Sequence, residues 1–138
     1  MKAAAVFVSV FVSVALFCVI LVLSKLWPTE DSNGNDPEAV VGLFIQAVNT
    51  RDFALAKTYW EDGAVDNIEE AFKTNFAAFC EERFLCSYFS VTRPVKQKAD
   101  SWNLEFEGNN KGRPVSYVFY VRKTDGTWRL RYSLPYAR

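Results

Sequence analysis

Histidine is absent from this 138-residue chain, methionine occurs once and cysteine three times. Without histidine the chain lacks the commonest general base, the side chain that ordinarily changes charge near neutral pH, and the commonest metal ligand. Net charge is missing as well. The 16 basic and 16 acidic residues cancel, so no global field draws the chain towards nucleic acid. No spacing of nucleophile, base and acid stands out. The expectation is a chain with no catalytic residues, no cofactor and no metal.

What the chain does have is apolar bulk. Half of its residues are hydrophobic and 16% are aromatic, enough to pack the core of one small domain. Its charge is unevenly placed. From Glu30 to Glu82 twelve acidic residues face three basic ones, and from Arg83 to Arg138 eleven basic residues face four acidic ones. Two halves of opposite sign either attract each other within one fold or leave a basic face for an acidic partner.

Residues Ala3 to Leu23 hold no charge, proline or glycine over 21 positions. As a helix they would reach about 31 Å, the thickness of a bilayer core. Lys2 precedes the run, and Lys25, Trp27 and Pro28 follow it, a sequence suited to a membrane interface and a helix end. The run is too long for a signal-peptide core, and Val22-Leu23-Ser24 is a poor cleavage site. Phe17 before Cys18 argues against lipid attachment. An uncleaved anchor over 1–27 is therefore expected, with the N-terminus cytoplasmic and the remainder extracytoplasmic, periplasmic or extracellular.

Residues 28–36 read as a polar, flexible spacer, and 37–138 as the folded domain. Asp36-Pro37-Glu38 starts a helix: a cap, a proline at the first position, and an acid that complements the dipole. Val40, Val41, Phe44, Ile45, Ala47 and Val48 recur on its one apolar face. Asn49 to Asp52 breaks it, and a short helix carries Phe53, Ala56, Tyr59 and Trp60. Asp66-Asn67-Ile68-Glu69 resembles a capping box that opens a third helix through Phe72, Phe76, Phe79 and Cys80. Beyond Arg83 the apolar period becomes two. Strands are expected at Tyr88–Val91, at Trp102–Glu107, at Val115–Val121 (apolar on both faces and so central) and from Trp128 onward. The expected class is α+β: three helices on a curved antiparallel sheet of about four strands.

The stretch DPEAVVGLFIQAVNTRDFALAKTYW resembles the opening helix pair of the nuclear transport factor 2-like superfamily, the cystatin-like cone. It has an apolar helix, a short polar break, and then Asp52, Phe53 and Ala56 at the family's Asp-aromatic-x-x-Ala spacing. GTWRLRYSLP, from Gly126 to Pro135, resembles the closing strand of such domains. The resemblance spans Asp36 to Arg138. It implies helices closed over a bent sheet with a pocket at the open end, in a small membrane-anchored extracytoplasmic bacterial member. The stretch Glu61 to Asn67 is too short for the hairpin many members carry there, which implies a shallow cone.

Enzymes of this superfamily, the ketosteroid isomerase and SnoaL-like types, imply an Asp base with Tyr or His partners in the pocket. Tyr59, Asp62, Asp66, Tyr117 and Tyr120 are the residues of those types here, and no spacing selects among them. A ligand at the cone mouth would meet Tyr59, Trp60, Tyr117 and Phe119. Arg129 and Arg131 share a strand face with Ser133, either paired with Glu105 and Glu107 across strands or free to dock an acidic protein or an anionic ligand. Cys80 and Cys86 are either a disulfide, which needs Cα atoms roughly 5.5 Å apart, or two buried thiols. The expected function is a non-catalytic binding or assembly domain anchored through residues 3–23. It would act with a protein partner or a second copy, as an accessory subunit of a secretion or envelope complex. The alternative is a small-molecule pocket or weak enzyme. Transfer-channel subunits of type IV secretion systems share this layout at the level of fold.

Overall fold

The chain enters its folded part through a hydrogen-bonded turn. In the computed structural model, which describes residues 11–19, 30–91, 95–98 and 100–132, Asp31 Oδ1 accepts the backbone N–H groups of Asn33 and Asn35. Asp31 Oδ2 accepts Trp128 N–H at 3.0 Å, and Ser32 N–H reaches Gly126 O. The segment expected to be a flexible spacer is thus folded into a turn over residues 31–35 and bound to the last hairpin through Asp31 and Ser32. One short carboxylate satisfies three backbone donors there, which a composition-based reading of TEDSNGND misses.

Residues 11–19 are helical (α1), and Phe11, Val12, Val14, Leu16, Phe17 and Val19 are exposed on it. Among the described residues no helix is long and apolar enough to cross a membrane. The rest of the expected anchor lies outside the described residues.

Helix α2, Pro37–Asn49, starts as its sequence dictates: Asp36 Oδ1 accepts Ala39 N–H at 2.7 Å and Pro37 follows it. Val40, Val41, Phe44, Ile45, Ala47 and Val48 are all buried. Arg51 turns the chain in the left-handed region, and Asp52 caps α3, Phe53–Thr58, through Leu55 N–H. The next residues act as an extra strand. Leu130 N–H donates to Tyr59 O at 2.8 Å and Glu61 N–H to Leu130 O at 2.9 Å, a parallel bridge beside the last strand.

The expected third helix is two. Helix α4, Ala64–Phe72, begins at Gly63 rather than at the Asp66 box, and ends where Lys73 takes a left-handed conformation at φ 54°. Helix α5, Phe76–Arg83, is capped by Asn75, whose side chain accepts Ala78 N–H at 2.8 Å. Glu69 Oε2 also accepts Phe76 N–H across the corner. A lysine is an unusual residue at such a conformation, so no glycine signals the break. The corner leaves Phe72 37% exposed, whereas Ile68, Phe76 and Phe79 stay buried.

Among the described residues five strands follow: β1 Phe89–Val91, β2 Val95–Lys98, β3 Ser101–Asn110, β4 Arg113–Thr124 and β5 Thr127–Arg131. Both β1 and β2 pair with the same edge of β3, at Phe106–Gly108 and Ser101–Asn103, so the antiparallel sheet is four rows wide. Trp102, Leu104, Phe106, Phe119, Val121, Trp128 and Leu130 face the helices and are buried. Strand β4 lies between β3 and β5, as expected of a central strand, but it is covered on one face only. Val118 and Tyr120 on the other face remain 38% and 39% exposed. Among the described residues helices lie against just one side of this sheet, so apolar residues on both faces of β4 do not mean burial on both.

Candidate functional site

The interior of the cone is filled by its own rings. Phe44 lies 5.4 Å from Trp60, 5.4 Å from Phe84 and 5.8 Å from Phe119, mostly edge to face. Trp60 and Phe119, expected at a cone mouth, are 2% and 0% exposed and offer no surface to a ligand. Among the described residues the buried Trp60 Nε1 donor has no hydrogen-bond partner. Of the expected mouth residues only Tyr59 and Tyr117 are half-buried, and the Tyr59 backbone is bound to Leu130.

A polar set does gather where the α4–α5 corner meets the inner sheet face. The Arg83 guanidinium, in the last turn of α5, stacks 4.6 Å from the Phe72 ring and 5.0 Å from Phe79. Tyr132, just past β5, lies 6.1 Å from Phe72, and Tyr117 lies 5.2 Å from Phe84, ring to ring. Burial pushes the Tyr117 phenol up to about 12, helped by Tyr132 and opposed by Arg83, with Tyr120 adding to the rise. It is therefore a hydrogen-bond donor throughout the ordinary pH range. An open cleft of about 490 Å³, lined by Asn67, Glu70, Ala71, Lys73 and Tyr132, lies beside this set. Sequence reasoning singled out Tyr117 alone. Arg83 carries no periodic signal, and the corner that brings Phe72 beneath it was not foreseen.

Arg129 and Arg131 have partners other than Glu105 and Glu107. Arg131 Nε pairs with Glu61 Oε2 at 3.2 Å, while Glu61 Oε1 takes Arg122 Nε at 2.8 Å and the Thr124 hydroxyl at 3.1 Å. Arg129 Nη1 donates to Thr58 O at 3.1 Å. Glu61 thus bridges the acidic and basic halves of the chain, beside a cleft of about 330 Å³ that Asp62 and Asp125 also line. Asp66 is an exposed residue of α4, and Tyr120 lies on the open sheet face. A wider groove of about 750 Å³ runs along Tyr88, Ser90, Glu107, Pro114 and Ser116.

Cys80 and Cys86 are both free and buried. Burial pushes the Cys80 thiol up to about 12, Glu81 adding to it and Lys57 opposing, and burial raises Cys86 too against the Asn109 backbone. The Cys86 sulfur fills the space a side chain would take at residue 108: a Cβ on Gly108 would sit 2.8 Å from Sγ and 2.9 Å from the Phe106 ring.

No family model matches the chain, and no curated protein matches it. Among solved structures it is similar to a Campylobacter jejuni protein provisionally named a nuclear transport factor 2-like transpeptidase. The match has a TM-score of 0.51 at 16% identity and covers 72% of this chain and 100% of the other. At that identity the likeness concerns shape: the fold is nuclear transport factor 2-like, in agreement with the helix-pair motif.

Proposed function

We propose that the chain is a membrane-anchored binding or assembly domain without catalytic activity, an accessory subunit of an extracytoplasmic envelope or secretion complex. The observation that carries the reading is the filled cone. Trp60 and Phe119, which would line a substrate cavity, are buried among Phe44, Phe76 and Phe84. The apolar surface of α1 and the uncharged run around it support an anchor. The neighbour's name points to acyl transfer, which needs an activated nucleophile. Here Cys80 and Cys86 are buried with raised pKa values, the opposite of the exposed, electropositive setting of a reactive thiol.

Membrane topology is tested with the variant Glu38→Cys in a Cys18→Ser background, since Glu38 is exposed on α2, the exposed Cys18 is removed, and the buried Cys80 and Cys86 do not compete. A membrane-impermeant maleimide is expected to label it in intact cells. Labelling only after lysis would place the domain in the cytoplasm and end the proposal. Crosslinking and mass spectrometry of the detergent-extracted chain then separates a stoichiometric protein partner from a lone protomer.

A further inference from the structure

We infer that Arg83, Tyr117 and Tyr132 form a binding site for a small organic monocarboxylate with an apolar body, at the cone mouth between the α4–α5 corner and the sheet. This deepens the binding role proposed above by giving the domain a ligand class.

Arg83 is half-buried, yet among the described residues its guanidinium makes no ion pair and no hydrogen bond. Its natural acceptors, the last carbonyls of α5, are already taken. Asn110 Nδ2 crosses from the end of β3 to donate to Glu81 O at 2.8 Å and Glu82 O at 2.6 Å. Among the described residues Arg83 therefore does not close the helix, and its donors are uncommitted. Its Cζ lies over Phe72 and Phe79, and a guanidinium matches a carboxylate in two parallel hydrogen bonds. Among the described residues the Tyr117 and Tyr132 hydroxyls likewise have no hydrogen-bond partner.

The charge count selects the ligand. Glu70 and Lys73 in the adjoining cleft cancel each other, so one guanidinium and two neutral phenols balance a single negative charge, whereas a phosphate dianion would leave one charge uncompensated in a half-buried site. The surroundings select its body. Phe72 is 37% exposed beside the site, and the cleft of about 490 Å³ opens next to Tyr132. The bland account has the arginine stem merely covering two rings. That account gives the two hydroxyls nothing to do, and the variants below separate the two.

The test uses the full-length protein in a non-ionic detergent, with arginine side chains labelled with ¹⁵N. Phenylacetate is titrated in while the Arg83 Nε–H resonance, assigned by its loss in Arg83→Lys, is followed. A saturable shift is expected. Calorimetry should then show affinity about 10-fold weaker in Arg83→Met, and about 3- to 10-fold weaker in Tyr117→Phe and in Tyr132→Phe, as expected for loss of charge-assisted and neutral hydrogen bonds. Phenylacetamide and inorganic phosphate should bind at least about 10-fold more weakly than phenylacetate. No saturable shift, equal competition by phosphate, or an affinity unchanged in both tyrosine variants would each overturn the site. Should Arg83→Met fail to fold, the tyrosine variants decide alone. None of these readouts depends on topology, so failure here leaves the maleimide result standing, and the reverse.

Discussion

Asp31 holds Trp128 through a 3.0 Å hydrogen bond to its backbone N–H, joining the first described residues of the folded part to its last strand. Three N–H donors converge on one carboxylate, with Lys123 nearby. Asp31→Ala should cost about 1–2 kcal/mol in urea denaturation and speed amide exchange at Ser32 and Asn35. Unchanged exchange would mean that the turn is held by its backbone alone.

The same residue sets a pH dependence. Burial alone raises the Asp31 pKa. The N–H donors of Asn35, Trp128 and Asn33, with Lys123, outweigh it and hold the carboxyl below its ordinary 3.8. A depressed folded-state value stabilises fully above the unfolded value and is lost as pH falls through the folded one. Detachment of the 31–35 turn, followed by exchange at Ser32, should therefore grow below about pH 4. In Asp31→Asn that contribution to the pH dependence should vanish.

Gly108→Ala should destabilise by about 1–3 kcal/mol, because the new methyl meets the Cys86 sulfur and the Phe106 ring in a packed interior. Cys86→Ala should relieve part of that cost. Thermal denaturation of the two single variants and the double one gives the coupling, and strictly additive effects would show that the sulfur is not the obstacle.

Glu61→Gln removes the charge shared by Arg122 and Arg131, and leaves Arg122 directly opposite Arg129 across β4 and β5. The arginines are more than 40% exposed at the side chain, which limits the loss to roughly 1 kcal/mol. The deficit should shrink between low and high salt. A salt-independent deficit would point to the Thr124 hydrogen bond instead.

Thiol counting separates the two states considered for Cys80 and Cys86. In Cys18→Ser protein without reductant, no thiol should react with a maleimide while folded, and two should react in denaturant. No reaction in either condition would reveal a disulfide.

Where one residue's chemistry decided the local structure, the sequence was legible. Asp36-Pro37 opened α2, Asp52 opened α3, and the two-residue alternation of β3 and β5 marked their buried faces. Legibility failed where the decision lay with a distant partner. Lys73 breaks a helix without glycine because Glu69 and Asn75 rebuild the corner around it. Trp60 looked like a mouth residue because its place in the sequence, next to Tyr59, says nothing of the bridge to Leu130 that turns it inward. Arg83 became visible as a site only once Asn110, from the far end of β3, was seen to occupy the carbonyls beside it.

The Trp60–Leu130 bridge also bears on the order of folding. It couples the end of the first helix pair to the final strand, so the ring cluster around Phe44 cannot finish assembling until nearly the whole chain is present. Such long-range closure slows folding and makes it a late, cooperative event. Tryptophan fluorescence in a stopped-flow experiment would see Trp60 and Trp128 reach their native surroundings in one phase, and a chain synthesised only as far as Thr124 would keep its aromatic interior unlocked.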